Sequence, residues 1–524
     1  MAQLNVSDLT FAYEGSFDNI FEKVSFSMDT DWKLGFIGRN GKGKTTFLRI
    51  LLGGLEYEGS ISTSTVFDYF PYELGDDDPE KCASELFDKW KADVENWRVL
   101  VELSELNIDP EVLYRPIKTL SFGERTKVML AVLFAGDNEF LLIDEPTNHL
   151  DAQSRESVKA YLKKKKGFIL VSHDRDLLDA VIDHVLVLNR ESIEVQTGNF
   201  SSWWENKEKA DAFAKAENEK HLKEIGKLKE AADRASRWAE KNENTKIGFD
   251  PVKEPERNIS TRAYIGAKTK KMQSRVKSFE NRIDREIEEK EGLLNDIENV
   301  KDLKVMPLEY YKERLIECRD FSLKYQGTDE NVLSGLTFEC KQGERVFLRG
   351  ENGCGKSSLI KAILMKASGY NTDRDEFRLK EFGMKASDVD KIEMQGTLNV
   401  GANLKISYIN QDTSHLKGNL KDYAKYRGLD YTLLLALLNQ LDFNKVQYSK
   451  NMEDFSEGQK KKVLIASSLL TQAHLYIWDE PLNYIDVFSR MQIEKLIETY
   501  APTMLIVEHD VRFTEKISTK IIDL

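Results

Sequence analysis

The sequence predicts an α/β protein made of two copies of one domain, joined by a long antiparallel α-helical hairpin, with no transmembrane segment. Three observations carry this prediction. A glycine-rich loop occurs twice, each time with the same partners in the same order. A Lys/Glu/Ala-rich stretch of helical periodicity separates the copies. No apolar run approaches the ~18 to 20 residues that a membrane span needs.

The repeat comes first. Gly38-Arg-Asn-Gly-Lys-Gly-Lys44-Thr45 recurs as Gly350-Glu-Asn-Gly-Cys-Gly-Lys356-Ser357. Leu141-Leu-Ile-Asp144-Glu145-Pro-Thr-Asn-His-Leu-Asp151 recurs as Tyr476-Ile-Trp-Asp479-Glu480-Pro-Leu-Asn-Tyr-Ile-Asp486, and Val171-Ser-His173-Asp as Val507-Glu-His509-Asp. The nearly constant offset implies a duplicated domain, over 1–202 and 306–524, with an insertion in the second copy at about 368–400. Between them, 203–305 carries apolar residues at three- and four-residue steps. They are Leu222, Ile225, Leu228, Ala232, Ala235 and Trp238 on one arm, and Met272, Val276, Phe279, Ile283, Ile287, Leu294 and Ile297 on the other. Such a stripe suits two helices packed through one face. The Gly- and Pro-containing run after Lys246 breaks the pattern, so the hairpin tip is expected near 243–263. An arm of roughly 40 residues is about 60 Å long.

In GxxxxGK[ST], the glycines let backbone N–H groups curl around phosphate oxygens at a helix N-terminus, where the helix dipole favours anions. Gly38, Asn40, Gly41, Gly43 and Gly350, Asn352, Gly353, Gly355 would form the two cradles. Lys44 and Lys356 would reach the β- and γ-phosphates, and Thr45 and Ser357 would ligate Mg²⁺. An ordinary glycine turn is the other reading, but each loop lies between a strand-like and a helix-like run. Two apolar strands ending in Asp-Glu place Asp144 and Asp479 as metal-side carboxylates. Glu145 and Glu480 are then placed to orient or deprotonate a water. His173 and His509, each after a short β-like run, are placed to bond the γ-phosphate.

These residues resemble a tandem ATP-binding-cassette (ABC) ATPase, a P-loop NTPase fold. The family's signature loop is matched by Leu120-Ser121-Phe-Gly123-Glu124 and Phe455-Ser456-Glu-Gly458-Gln459. The resemblance implies two ATP molecules held between the halves of a monomer, each between one half's phosphate loop and the other's signature. It extends the ATP-binding set to Thr46, Ser358, Asp151 and Asp486, and assigns Tyr13 and Tyr325 to adenine stacking, although both also suit a strand-face core. Phe122 and Glu457 stand where the family usually has Gly; their side chains either alter closure or point away. Gln411 matches the family's Mg²⁺-linked glutamine. The first copy reads Tyr69-Phe-Pro71-Tyr there, and proline offers no side-chain ligand, so the two ATP sites are expected to differ.

Two cassettes flanking a charged helical hairpin resemble the ABC-F ribosome-binding factors, specifically antibiotic-resistance members of the Lsa/Vga type. That resemblance implies docking of the ATP-bound form at the ribosomal exit-tRNA site. There the hairpin tip would reach the peptidyl-transferase centre near peptidyl-site tRNA and displace lincosamides, pleuromutilins and streptogramin A drugs. Charge distribution suits this. The chain carries −13 overall, which disfavours nucleic-acid binding by its body. Yet Arg257, Arg262, Lys268, Lys270, Lys271, Arg275, Lys277 and Arg282 face one acid, Glu280, between 257 and 282. This run, with Tyr264 and Phe249 as π faces, is the expected rRNA or tRNA contact, although a basic run is also a common solvated helix face. Lys163–Lys166 reads equally as a helix C-terminal cluster or an RNA contact.

The N-terminus has no secretory pattern and the four cysteines lack CxxC spacing, so a cytoplasmic protein without disulfides or zinc is expected. No C-terminal RNA-binding extension is expected after the second His-containing strand. Alternatives are a housekeeping ABC-F translation factor, the ATPase subunit of a separate membrane transporter, and a DNA-repair or chromosome-type ATPase. The last predicts zinc ligands or much longer coiled coils.

Overall fold

A computed structural model describes residues 3–13, 19–39, 43–91, 94–136, 139–148, 150–188, 193–244, 277, 282, 307–327, 330–368, 392–441, 443 and 445–524. The chain divides into two units, Met1–Ser201 with Asp302–Leu524, and Ser202–Lys301.

In the first unit one architecture occurs twice. A six-stranded sheet runs in the order Val66–Phe70, Glu139–Asp144, Phe168–Val171, Lys33–Gly38, His184–Leu188, Ile193–Thr197. A five-stranded sheet runs Ile406–Ile409, Leu475–Asp479, Met504–Val507, Arg345–Arg349, Lys520–Asp523. Every ladder in both is parallel except the last of the first sheet. Strands such as Phe168–Val171 and Met504–Val507 are apolar without alternation because both faces are buried. Each half adds a three-stranded antiparallel sheet: Phe21–Asp29, Gln3–Phe11, Glu58–Ser62, and Leu333–Lys341, Arg314–Tyr325, Ile392–Val400. Ile392–Val400 takes the place that Glu58–Ser62 has in the first copy. The end of the stretch expected as an insertion is thus a strand of the repeat, while 369–391 lies outside the described residues.

The apolar cores follow these sheets. In the second half, Leu434, Leu438, Val463, Trp478 and Ile493 pack on one face of the parallel sheet, and Leu348, Ile360, Ile477 and Leu505 on the other. Among the described residues no helix is long and apolar enough to cross a membrane.

The halves meet through charge. Arg175, starting the helix Arg175–Val181, donates to Glu494 of the helix Val487–Tyr500, 3.2 Å on one limb of the fork and closer on the other. Glu494 is fully buried and Arg175 nearly so. Alongside, Arg512 pairs with Asp179 and donates to Ser201 Oγ at 3.3 Å. A bidentate guanidinium–carboxylate pair removed from water is stable only while both members are present.

In the second unit the helix Phe200–Asn244 supplies the first arm. Ile225 is buried, whereas Leu222 is 56% exposed and so does not share its face. Around Ile225 the less exposed positions are His221, Glu224, Leu228 and Ala231, a stripe displaced from the expected one. Sequence spacing alone admitted Leu222 because it lies a permitted three residues before Ile225. Ala232, Ala235 and Trp238 lie in this helix but outside the described side chains, and the second-arm stripe lies outside the described residues.

Glu494→Ala is expected to lower unfolding stability by about 3 kcal/mol because it takes both hydrogen bonds from the buried Arg175 guanidinium and leaves it only the longer contact to Asp510 at 3.9 Å. Arg175→Met combined with Glu494→Leu should recover most of that loss in the same urea titration. Simple additivity of the two single changes would rule out their coupling.

Candidate functional site

The site grows from the strand ends. Asp144 closes Glu139–Asp144 beside Val171, and Asp479 closes Leu475–Asp479 beside Val507. The next residue turns sharply: Glu145 has φ 52° and Glu480 φ 47°. Left-handed backbone at a non-glycine costs about 1 kcal/mol and is held by surrounding bonds. Here the amides of Glu145 and Glu480 donate to the carbonyls of Val171 at 2.8 Å and Val507 at 3.0 Å. That turn carries each carboxylate over the neighbouring strand end, where the histidine follows. Glu145 Oε1 lies 3.3 Å from His173 Nε2, and Glu480 Oε1 lies 3.7 Å from His509 Nε2.

Adjacent carboxylates out of water oppose ionisation. Burial and then the Asp144 charge push Glu145 up to about 8, and burial raises Asp144. Burial pushes Asp479 up to about 6, with Glu480 adding and the Ser357 hydrogen bond opposing. Burial, reinforced by Lys44 and Arg490, drives His173 well below its ordinary value, so its imidazole is neutral.

The helices Lys44–Leu51 and Lys356–Ser368 begin at the phosphate-loop lysines. Gly43 and Gly355 precede them at φ 106° and 99°. A Cβ at Gly43 would lie 2.5 Å from Ile20 Cγ2, and one at Gly355 2.7 Å from Val332 Cγ1. Both amines are buried. Lys44 Nζ donates to the carbonyls of Gly38 at 2.5 Å and Arg39 at 3.3 Å; Lys356 Nζ donates to Gly350 at 2.9 Å and Glu351 at 2.7 Å. Gly38, Asn352 and Gly353 are described, whereas Asn40 and Gly41 lie outside the described residues.

These groups fit a magnesium nucleotide. Asp479 Oδ1 and His509 Nε2 are both buried without a hydrogen-bond partner. Buried carboxylates of raised affinity for protons call for a cation, and amines folded back on loop carbonyls have anions as their natural alternative. Lys44, Lys356 and the loop amides would hold phosphates, and Asp144, Asp479, Thr45 and Ser357 the metal.

The two sites differ. Asp144 Oδ2 accepts from Thr45 Oγ1 and from Tyr69 OH, both at 3.2 Å. Gln411 Nε2 instead donates to Glu480 Oε2 at 2.8 Å, which Asn483 Nδ2 also reaches at 2.8 Å. Sheet register changes one sequence alignment. Tyr69 pairs with Leu142 and Tyr408 with Ile477, so Pro71 matches Asn410 and the counterpart of Gln411 is Tyr72. Tyr72 OH donates to Asp68 at 2.8 Å and its ring stacks on Trp90. In the first site a tyrosine thus stands in the place of the glutamine, turned to Asp68 and Trp90.

Ser121 and Ser456 cap the helices Phe122–Phe134 and Glu457–Leu470 through reciprocal capping boxes with Glu124 and Gln459. Such a cap contributes about 1 kcal/mol. A Cβ on Gly123 would lie 2.7 Å from Ser154 Oγ, and Gly458 is buried in its helix. Phe122 is exposed beneath the Arg125 guanidinium, while Glu457 accepts from Thr413 at 2.6 Å. Tyr13 is 44% exposed, beyond its strand, and its hydroxyl bonds Thr46 Oγ1 at 2.9 Å. Tyr325 ends its strand, packs partly against the core, and bonds Ser358 Oγ at 2.7 Å.

Contacts between halves converge on these sites. Asp151 and Asp486 each cap the following helix, and Asp486 also accepts from buried Lys462 at 2.8 Å. The Asp486 charge acts on Lys44 and His173 of the other half. Arg39 lies over Phe488, and Arg155 donates to the His509 carbonyl at 3.4 Å. Lys462 and Arg490 escaped the sequence reading, although each repeats a basic residue of the first copy, Lys127 and Arg155. Lys165 at the Lys163–Lys166 helix end is tied to Glu102 at 2.6 Å and Glu105 at 3.1 Å. Lys277 is helical and exposed; Arg257, Arg262, Tyr264, Lys268, Lys270, Lys271 and Arg275 lie outside the described residues.

The family profile described as ABC transporter matches residues 21–148 and 333–483. The ribosome protection protein VmlR of Bacillus subtilis (strain 168) is 25% identical over 513 residues, covering 96% of this chain and 84% of that protein. The energy-dependent translational throttle protein EttA of Haemophilus influenzae is 25% identical over 549 residues, covering 96% and 89%. Among solved structures, the complex of archaeal ribosomal stalk protein aP1 with archaeal ribosome recycling factor aABCE1 has a similar fold. It matches with a TM-score of 0.59 at 18% identity, over 98% of this chain and 87% of that one.

Gly355→Ala should abolish binding of a fluorescent ATP analogue at the second loop, because its Cβ collides with Val332. Gly353→Ala, with φ 87° but nothing within 4 Å of its Cβ, should cost only about 1 kcal/mol of backbone strain. Because Tyr69 bonds Asp144 in one site and Gln411 bonds Glu480 in the other, Glu145→Gln and Glu480→Gln are expected to leave different residual ATPase rates. Equal rates would show the sites to be equivalent.

Proposed function

Because the chain belongs to the ABC transporter family, as a tandem-cassette ATPase that resembles the ABC-F proteins, we propose that it is an ATP-driven ribosome-protection factor. The observation carrying this reading is a similarity to VmlR that runs through both cassettes and the segment between them. In this reading ATP binds between the halves, Lys44 and Lys356 neutralise phosphate charge, and the closed form docks at the exit-tRNA site of the large subunit. The metal supplies charge neutralisation on the phosphates. Glu145 and Glu480 orient the attacking water beside neutral His173 and beside His509. Hydrolysis favours the open form, which leaves. Nucleotide acts as a timer whose leverage is the difference in ribosome affinity between two conformations.

The basic run from Arg257 to Arg282 is proposed to clamp rRNA and peptidyl-site tRNA in the cytoplasm, with the tip near 243–263 reaching the peptidyl-transferase centre. There it would displace lincosamides, pleuromutilins and streptogramin A drugs, by direct contact or by shifting the RNA. A second reading, a translation factor without a role in resistance, is favoured by the equal identity to EttA. Deleting the gene and measuring drug susceptibility separates the two: unchanged susceptibility selects the second.

The Glu145→Gln/Glu480→Gln protein, loaded with ATP, should co-sediment with ribosomes and resist release, whereas the nucleotide-free protein should not. If it stays in the supernatant with ATP, both ribosome readings fail.

A further inference from the structure

The copies diverge sharply in the shell behind the second strand-end glutamate. Counting from the signature serines, Lys461 stands where the first half has Thr126. Glu508, directly before the second histidine, stands where it has Ser172. Both second-half side chains are buried, Lys461 at 2% exposure and Glu508 at 8%. A lysine and a glutamate are thus both buried here, where a threonine and a serine stand in the other copy.

The bonds say what the pair does. Lys461 Nζ donates to the carbonyl of Asn410 at 3.1 Å and to that of Glu480 at 3.3 Å. These carbonyls leave the ends of two adjacent parallel strands, Ile406–Ile409 and Leu475–Asp479. One belongs to the residue before Gln411, the other to the glutamate at φ 47°. An ammonium has three donors and no acceptor, so it can satisfy both carbonyls at once and fix their separation. The side chains of the same two segments then meet, with Gln411 Nε2 on Glu480 Oε2 at 2.8 Å. The charges of Asp479 and Glu480, and after them that of Glu508, balance the Lys461 ammonium, and Glu508 accepts from the amides of Leu482 at 2.8 Å and His509 at 2.9 Å. The pair thus holds four backbone groups around Glu480.

We infer that Lys461 is a positioning residue of the second ATP site, clamping the backbones of Asn410 and Glu480 so that Gln411 and Glu480 stay in register, and that the first site works without such a clamp. This rests on the role proposed for Glu480. A side chain behind the reacting groups contributes to the geometry of the attacking water and not to nucleotide affinity. Its loss should therefore lower kcat and spare KM.

The test uses the full chain carrying Glu145→Gln, so that turnover reports the second site. Lys461→Met should lower kcat by about tenfold with KM within about twofold, and Lys461→Arg, which keeps donors on a cation, should restore most of the rate. Lys461→Thr with Glu508→Ser installs the first half's neutral pair. It avoids a stranded buried charge, so it folds even if Lys461→Met does not, and its kcat should fall in the same way. A double variant as fast as its parent would overturn the clamp. So would a parallel rise in KM with kcat unchanged, or a Lys461→Arg protein no better than Lys461→Met. A parent no faster than Glu145→Gln/Glu480→Gln would instead remove the role given to Glu480, and the clamp with it.

Discussion

Two carboxylates that follow one another in sequence cannot both be buried and both be charged without a cation to face. That constraint recurs at Asp144-Glu145 and Asp479-Glu480, and much of the molecule is arranged around it. The parallel sheets bring the strand ends out of water. The left-handed turn at each glutamate separates the two side chains, so the aspartate faces the threonine or serine of the phosphate loop and the glutamate faces a histidine. The lysines at the helix starts place positive charge opposite. Removed from this setting, a strand ending in two acids would be costly to fold.

Much of this was legible because it rests on local chemistry repeated twice. The loop glycines announce positive φ, and the apolar runs before Asp144, Asp479, His173 and His509 announce strands buried on both faces. The structure has each of those elements where the sequence puts it. What was not legible depends on register and on long-range partners. Tyr72, not Pro71, is the counterpart of Gln411, and only the ladder through Tyr69 and Tyr408 reveals it. Leu222 fits a three-residue step yet faces water, because periodicity admits two neighbouring stripes and packing selects one. Arg175 and Glu494 carry no motif at all, since their meaning arises only when two distant helices meet. Lys461 was hidden inside a run of three lysines, where the sequence does not tell the buried Lys461 and Lys462 from the more exposed Lys460.

The differences between the copies cluster in one half. Around Glu145, Asp144 takes a second hydrogen bond from Tyr69, and the flanking positions are Thr126 and Ser172. Around Glu480, a glutamine, an asparagine, a lysine and a further glutamate converge. In the first arrangement the His173 amide donates to the glutamate at 3.4 Å; in the second the side chains of Gln411 and Asn483 do so at 2.8 Å. The two copies share one frame, and the residues that contact their strand-end carboxylates make the two sites unlike.

Asp486 caps a helix in one half while its charge is felt by Lys44 in the other. Genetic ownership and spatial ownership of the first nucleotide site therefore part company. A selection for suppressors of a defect near the start of the reading frame would return changes close to its end, and a truncated first cassette, however well folded, would lack part of its own electrostatic environment.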